Sequence, residues 1–183
     1  ADYNGPDSLT YQIADPDGAT DTAVLDLTVT PVNDDPTATG VPTTISATED
    51  EASDIDLSGL SLADIDAGGG AIALTLDVTA GTLAATGNGD VTVADSGTGS
   101  LTLTGTVADL NSFLGDAAAV QYTSAADANG TGAATLTLTA NDQGNTGSGG
   151  GSDIVLGSAG IDIAPVNDAP TAEPDIASTD EDT

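Results

Sequence analysis

The chain has 183 residues, no Lys, Arg or His, and a formal net charge of −30. No basic side chain can meet a phosphate or an anionic lipid, which argues against nucleic-acid binding and against peripheral membrane attachment. Cys is absent as well, so disulfides, thiolate metal sites and the usual nucleophile–base pairs are excluded; no apolar run is long enough to span a bilayer.

The predicted elements are almost all strands. Leu9-Tyr11-Ile13 and Val24-Leu25-Leu27-Val29 open the chain with alternating apolar positions. Ile72-Leu74-Leu76-Val78, Val91-Val93, Leu101-Leu103, Val120-Tyr122 and Leu136-Leu138 continue the pattern, mostly with Thr or Asp between. Gly87-Asn88-Gly89-Asp90 reads as a hairpin turn. The one helical signal is Val107–Leu114, with Val107, Leu110, Phe113 and Leu114 on one face and Gly115 as its stop. Tyr11, Phe113 and Tyr122 fall at positions expected in a core. The predicted fold class is all-β, a Greek-key β-sandwich.

Internal repeats organise the chain. Pro31-Val32-Asn33-Asp34-Asp35-Pro36-Thr37-Ala38 returns as Pro165-Val166-Asn167-Asp168-Ala169-Pro170-Thr171-Ala172, and Asp2-Tyr3-Asn4-Gly5 as Asp127-Ala128-Asn129-Gly130. The two offsets, 134 and 125, differ by nine, which places a nine-residue insertion in the second copy, most simply around Gly144–Ser152. Residues 1–34 then read as the last strands of one repeat, 35–168 as a complete repeat, and 169–183 as the first strand of another. Ile176 and Glu181-Asp182 echo Ile45 and Glu49-Asp50. The window reads as an excerpt of a tandem array or as the unit of a filament.

The acids are unevenly chosen: 26 Asp against 4 Glu. Asp favours turns and oxygen-ligand loops, and nothing in the chain neutralises the charge, so bound divalent cations are the expected counter-ions. The same Asp and Asn residues are also ordinary turn formers. Asp54, Asp56, Asp77 and Asp95 read as solvated surface acids.

Four motifs in order carry a resemblance. Val32-Asn33-Asp34-Asp35-Pro36 follows a strand; Glu49-Asp50-Glu51 lies in the first strand of the complete repeat. Ala63-Asp64-Ile65-Asp66-Ala67-Gly68 comes later, and Ala140-Asn141-Asp142-Gln143-Gly144 lies near its end. In these the chain resembles the bacterial cadherin-like (Ig-like) tandem repeats of large surface adhesins and biofilm-associated proteins. The resemblance implies Ca²⁺ between consecutive repeats, which needs about six to eight oxygens drawn from a linker and two flanking loops. Carried over, the first junction uses Asn33, Asp34, Asp64, Asp66 and Asp142. The second uses Glu49, Asp50 or Glu51 with Asn167 and Asp168. Asp15 and Asp17 look like the late-domain loop of the first copy, and Asp180, Glu181 and Asp182 like the next acidic cluster. Vertebrate-type cadherins carry a Leu-Asp-Arg-Glu segment that this Arg-free chain lacks, so one or two ions per joint are expected rather than three.

Two other patterns are weaker. Gly151-Ser152-Asp153-Ile154 and Gly160-Ile161-Asp162-Ile163 repeat at nine residues, faintly like a calcium-binding β-roll, which needs several stacked turns. Asn129-Gly130-Thr131 matches a glycosylation sequon but also an Asn-Gly turn. The expected function is structural, not enzymatic. It is an extender of a secreted, calcium-stiffened adhesin or filament at the bacterial cell surface, partnered by neighbouring repeats or by identical subunits head to tail. A terminal strand such as 177–183 completing a neighbour's sheet is one route to the latter. The alternative is a carbohydrate- or cell-surface-binding module, set against the absence of Trp.

Overall fold

The computed structural model describes residues 3–145, 147–170, 172–179 and 181. It is all-β in class, 49% strand and 5% helix. The strands are β1 (Gly5–Ala14), β2 (Thr20–Val29), β3 (Thr37–Thr39), β4 (Thr44–Thr48), β5 (Ala52–Asp54), β6 (Ser61–Ala63) and β7 (Ala71–Val78). They continue with β8 (Thr82–Ala85), β9 (Thr92–Ala94), β10 (Ser100–Thr106), β11 (Val120–Thr123), β12 (Gly130–Asn141) and β13 (Ile154–Ala164). The single helix among the described residues, α1, is Val107–Leu114 as predicted.

Residues from β3 onward build a sandwich-like body. Six strands form the larger sheet in the order β4-β13-β12-β7-β10-β9, and β5-β11-β8 form the facing one. The pairings are antiparallel except β13 with β4, which runs parallel with Ile161 opposite Ile45. Period-two alternation sends Ile72, Leu74 and Leu76 of β7, Leu101 and Leu103 of β10, and Leu136 and Leu138 of β12 inward, all fully buried. Tyr122 of β11 closes the core from the other sheet, its hydroxyl donating to the Ala80 carbonyl at 3.0 Å. Burial of the ring raises the Tyr122 pKa. In α1, Thr106 caps the N-terminus by accepting from the Asp109 N–H, and Leu110, Phe113 and Leu114 pack inward. Asn111 on the helix both accepts from Leu62 N–H at 2.8 Å and donates to the Leu62 carbonyl at 2.9 Å, tying β6 to α1. Nothing in the residue pattern announces that clasp.

Two expectations need correction. Tyr11 is not in a core: β1 and β2 form a two-stranded sheet of their own, and Tyr11 is 50% exposed. Gly87–Asp90 is not a hairpin turn within one sheet, because β8 and β9 belong to different sheets. Asn88 instead bends the chain between layers by accepting from Val91 N–H at 2.9 Å. The nine-residue echo at 151–163, too short for the stacked turns of a β-roll, runs into strand β13 at 154–164, a sandwich strand.

The first hairpin matches the last one, apart from two register shifts in the latter. Gly5 opposite Val29 corresponds to Gly130 opposite Ile163. Leu9 opposite Leu25 and Tyr11 opposite Ala23 correspond to Leu136 opposite Ala159 and Leu138 opposite Gly157. The short turn 15–19 is replaced by the long loop 142–153, which takes most of the inserted residues; register shifts within β12–β13 take the rest.

Candidate functional site

Two clusters of acids lie where linkers meet the sandwich. The first involves the segment after β2. Asp142 is the first residue past β12 and is 2% exposed. Its Oδ1 accepts from Gly144 N–H at 3.0 Å and Gly151 N–H at 2.7 Å, closing the inserted loop on itself. Burial alone would raise its pKa, but those two donors and the Asn33 amide outweigh it, and the carboxyl titrates below its ordinary value.

The same loop docks on the linker. Ser148 bridges to Val32 in parallel, accepts from Asn33 N–H at 3.3 Å and donates to the Pro31 carbonyl at 3.3 Å. Glycine makes this approach possible: a Cβ on Gly147 would lie 2.6 Å from Asn33 N, and one on Gly150 would lie 2.3 Å from Asn33 Oδ1. From the linker the contacts pass to the acids in the loop that follows β6. Asp34 N–H donates to Asp66 Oδ2 at 3.0 Å. Asp64 Oδ1 accepts from the N–H groups of Asp66 and Ala67. Burial, followed by the neighbouring Asp66, raises the Asp64 pKa. A cleft of about 250 Å³ beside Asp34 and Asp66 is lined also by Tyr3, Asn4 and Pro31.

All five residues expected at the first junction are therefore joined in one connected network. It also carries an electrostatic deficit. Among the described residues, four buried side-chain oxygens lack a hydrogen-bond donor, and three of them are Asn33 Oδ1, Asp64 Oδ2 and Asp142 Oδ2. Buried acceptors are ordinarily satisfied, and orphan oxygens are the donor set that a hard cation takes.

The second cluster lies at the end of β4 and β13. Glu49 is 2% exposed. Its N–H donates to the Ala164 carbonyl at 2.9 Å, and its carboxylate accepts from Val166 N–H at 3.0 Å and from the Asn129 amide at 3.3 Å. Carboxylate oxygens of Glu49, Asp127 and Asp168 all lie within 4.8 Å of one another, and this trio could hold a metal ion. Asp127 and Asp168 are exposed, but partial loss of solvent first, then the charges of Asp50, Asp127 and Glu49, raise the Asp168 pKa. The acids of the first network do not gather this tightly.

The sequence placed Glu49 and Asp168 here and missed Asp127. Its signal was present: Asp127-Ala128-Asn129-Gly130 marks the repeat, and Asp127 takes the left-handed φ of 57° that turns its carboxylate loop toward Glu49. Asp50, at φ 62°, acts on Asp168 through its charge. Glu51 is exposed and outside the trio. Asn167 donates to the Asp168 carbonyl at 3.1 Å, as Asn33 does to that of Asp34 at 3.0 Å, so both linkers share one local turn. Asp15 and Asp17 are exposed in the β1–β2 turn, where Asp15 Oδ1 accepts from Ala19 N–H at 2.8 Å. No second segment reaches them among the described residues. Asp54, Asp56, Asp77 and Asp95 are exposed. Asp180 and Asp182 lie outside the described residues, as do Ala1 and Asp2.

No family model and no curated protein matches the sequence. The class defined by fold and site is a β-rich, sandwich-like protein with two acidic clusters, one of which could hold a metal ion. Among the described residues no helix is long and apolar enough to cross a membrane.

Proposed function

We propose that this chain is an extender segment of a secreted, calcium-stiffened bacterial adhesin or extracellular filament, built from Greek-key repeats of the cadherin-like kind. The observation that carries the reading is the set of donor-less buried oxygens on Asn33, Asp64 and Asp142. They belong to three segments that are far apart in sequence, and a cation shared among them would lock linker to loop. Glu49, Asp127 and Asp168 would supply the ligands at the following joint, together with the Asp50 charge. Ca²⁺ suits both places because it accepts six to eight oxygens in irregular geometry, whereas Mg²⁺ demands a tight octahedron. With 30 acids and no base, bound cations would also relieve the self-repulsion of the compact state.

In this reading the chain supplies length and stiffness rather than chemistry. Binding Ca²⁺ only to the folded joint raises stability in proportion to RT ln(1 + [Ca²⁺]/Kd). The test is thermal unfolding of the chain in Ca²⁺, in Mg²⁺ at equal ionic strength, and in chelator. A Tm rise specific to Ca²⁺, abolished by Asp64→Asn with Asp142→Asn, is expected. Equal effects of the two ions would leave the acids as a solvated coat and remove the calcium joint.

A further inference from the structure

The two hairpins differ in what flanks them. On β13, the edge not taken by β12 is taken by β4, with Ile45 beside Ile161 and Ala47 beside Ile163. On β2, the equivalent edge has no strand among the described residues. The positions matching Ile161 and Ile163 are Leu27 and Val29, which are 43% and 41% exposed, and Leu25 is 49% exposed. A ten-residue apolar-faced strand with an open edge is a template for another strand.

The chain carries a sequence suited to that edge. Ile176-Ala177-Ser178-Thr179 has the composition of Ile45-Ser46-Ala47-Thr48, the last four residues of β4, with Ile and Thr at the same ends and the two small middle residues exchanged. Residues 172–179 hold no strand, and Ile176 is 94% exposed, the most exposed large apolar residue described. Among the described residues, β2 thus offers an edge without a β4, and 176–179 is a β4-like segment without a sheet.

We propose that residues 176–179 of one copy add as a parallel strand to the free edge of β2 in a second copy. The register is that of β4 on β13, which sets Ile176 beside Leu27 and Ser178 beside Val29. The contact is heterologous, because the donor and acceptor surfaces differ, so it propagates head to tail rather than closing a dimer. Main-chain hydrogen bonds supply the affinity, and Ile176 on the apolar face fixes the register. The inference rests on the repeat architecture and not on calcium.

The chain has no Cys, so engineered thiols report without background. Neighbouring strands are about 4.8 Å apart, within disulfide reach. Leu27→Cys and Ile176→Cys are made as separate single variants, both at exposed sites, mixed, and oxidised mildly. A mixed covalent dimer is expected, and the double variant should give a ladder of dimers, trimers and longer species. Thr28→Cys, which faces the other side of β2, should couple poorly to Ile176→Cys. Three outcomes overturn the proposal. They are coupling only between two Leu27→Cys chains, which means the apolar faces stack; an internally closed monomer from the double variant; or no coupling at all. A second measurement covers the chain without residues 170–183. It should sediment as a monomer and bind the separate 170–183 peptide, whereas association undiminished by the truncation also overturns strand donation. Coupling is run in Ca²⁺ and in chelator with added NaCl. Coupling that persists in chelator, in a protein whose Tm ignores Ca²⁺, retains the strand joint and removes the ion joint. A Ca²⁺-specific Tm rise without coupling does the reverse.

Discussion

β1–β2 and β12–β13 are two versions of one hairpin with opposite fates. Their rungs correspond, yet Leu9, Tyr11, Leu25, Leu27 and Val29 are 41–56% exposed, while Leu136, Leu138, Ala159, Ile161 and Ile163 are at most 3% exposed. Alternation of apolar and polar residues decides that a strand will have two unlike faces. Whether the apolar face is buried depends on the layer opposite. For β12 that layer is the β5-β11-β8 sheet and α1; for β1 no such layer exists among the described residues.

The largest effect that separates the two hairpins is a core truncation. Leu138→Ala should cost about 2–5 kcal/mol, since it removes buried methyls and leaves a cavity. Tyr11→Ala, at the matching rung, should change stability by about 0.5 kcal/mol or less. Urea midpoints of the dilute monomer check both. A comparable loss from Tyr11→Ala would mean that the first hairpin is covered in solution.

The turns differ as sharply as the faces, and a pair of glycines isolates the reason. Gly18 in the short turn and Gly147 in the long loop share a φ of 88°, so each imposes the same backbone strain on an alanine. A Cβ at Gly18 meets nothing within 4 Å, whereas one at Gly147 meets the backbone of Val32 and Asn33. Gly18→Ala should cost about 1 kcal/mol from strain alone. Gly147→Ala should add roughly 1–3 kcal/mol of overpacking and release the loop from the linker. Equal losses, measured by urea unfolding, would mean that the loop does not hold the linker in solution. Truncating Asp142 tests the same latch from the side chain. Asp142→Ala strands the Gly144 and Gly151 N–H groups at a cost of about 1–3 kcal/mol. Asp15→Ala removes a single bond in an exposed turn and should cost less.

Much of this was legible from residues alone. The alternating runs located the long strands, and the apolar spacing of Val107, Leu110, Phe113 and Leu114 fixed α1 to its ends. The repeated Asn-Asp linker and the Asp64, Asp66 and Asp142 motifs picked out residues that do connect in space. Asp127 was passed over because the repeated Asp127-Ala128-Asn129-Gly130 marks a turn but not what the turn approaches, and the meeting with Glu49 and Asp168, a span of 119 residues, is set by the fold. The docking of Ser148 on Val32 and Asn33 was illegible for a similar reason. A Gly-Ser loop has no periodicity, and its contacts are made by backbone atoms that every residue owns. Tyr11 was misplaced because a strand's pattern is silent about its missing partner layer.

The smallest effect, and the one most specific to the joints, is the direction in which pH moves stability. Asp64 and Asp168 have folded-state pKa values above the ordinary 3.8. Each therefore favours the folded state most when protonated, and that preference is lost as pH rises through its raised value. Asp142 is opposite: its lowered pKa gives stability that is complete above about 3.8 and lost as pH falls through the folded value. In chelator, acidification from neutrality should raise Tm until about pH 4, helped by falling self-repulsion, and then lower it. Asp64→Asn, which mimics the protonated form, should flatten part of the rise. Saturating Ca²⁺ should invert the slope between pH 4 and 7, because a cation binds the ionised carboxylates and competes with their protons. Parallel Tm profiles with and without Ca²⁺ would show that these acids respond only to one another, and the two joints would then be held by the Asp142 loop and the Glu49 hydrogen bonds alone.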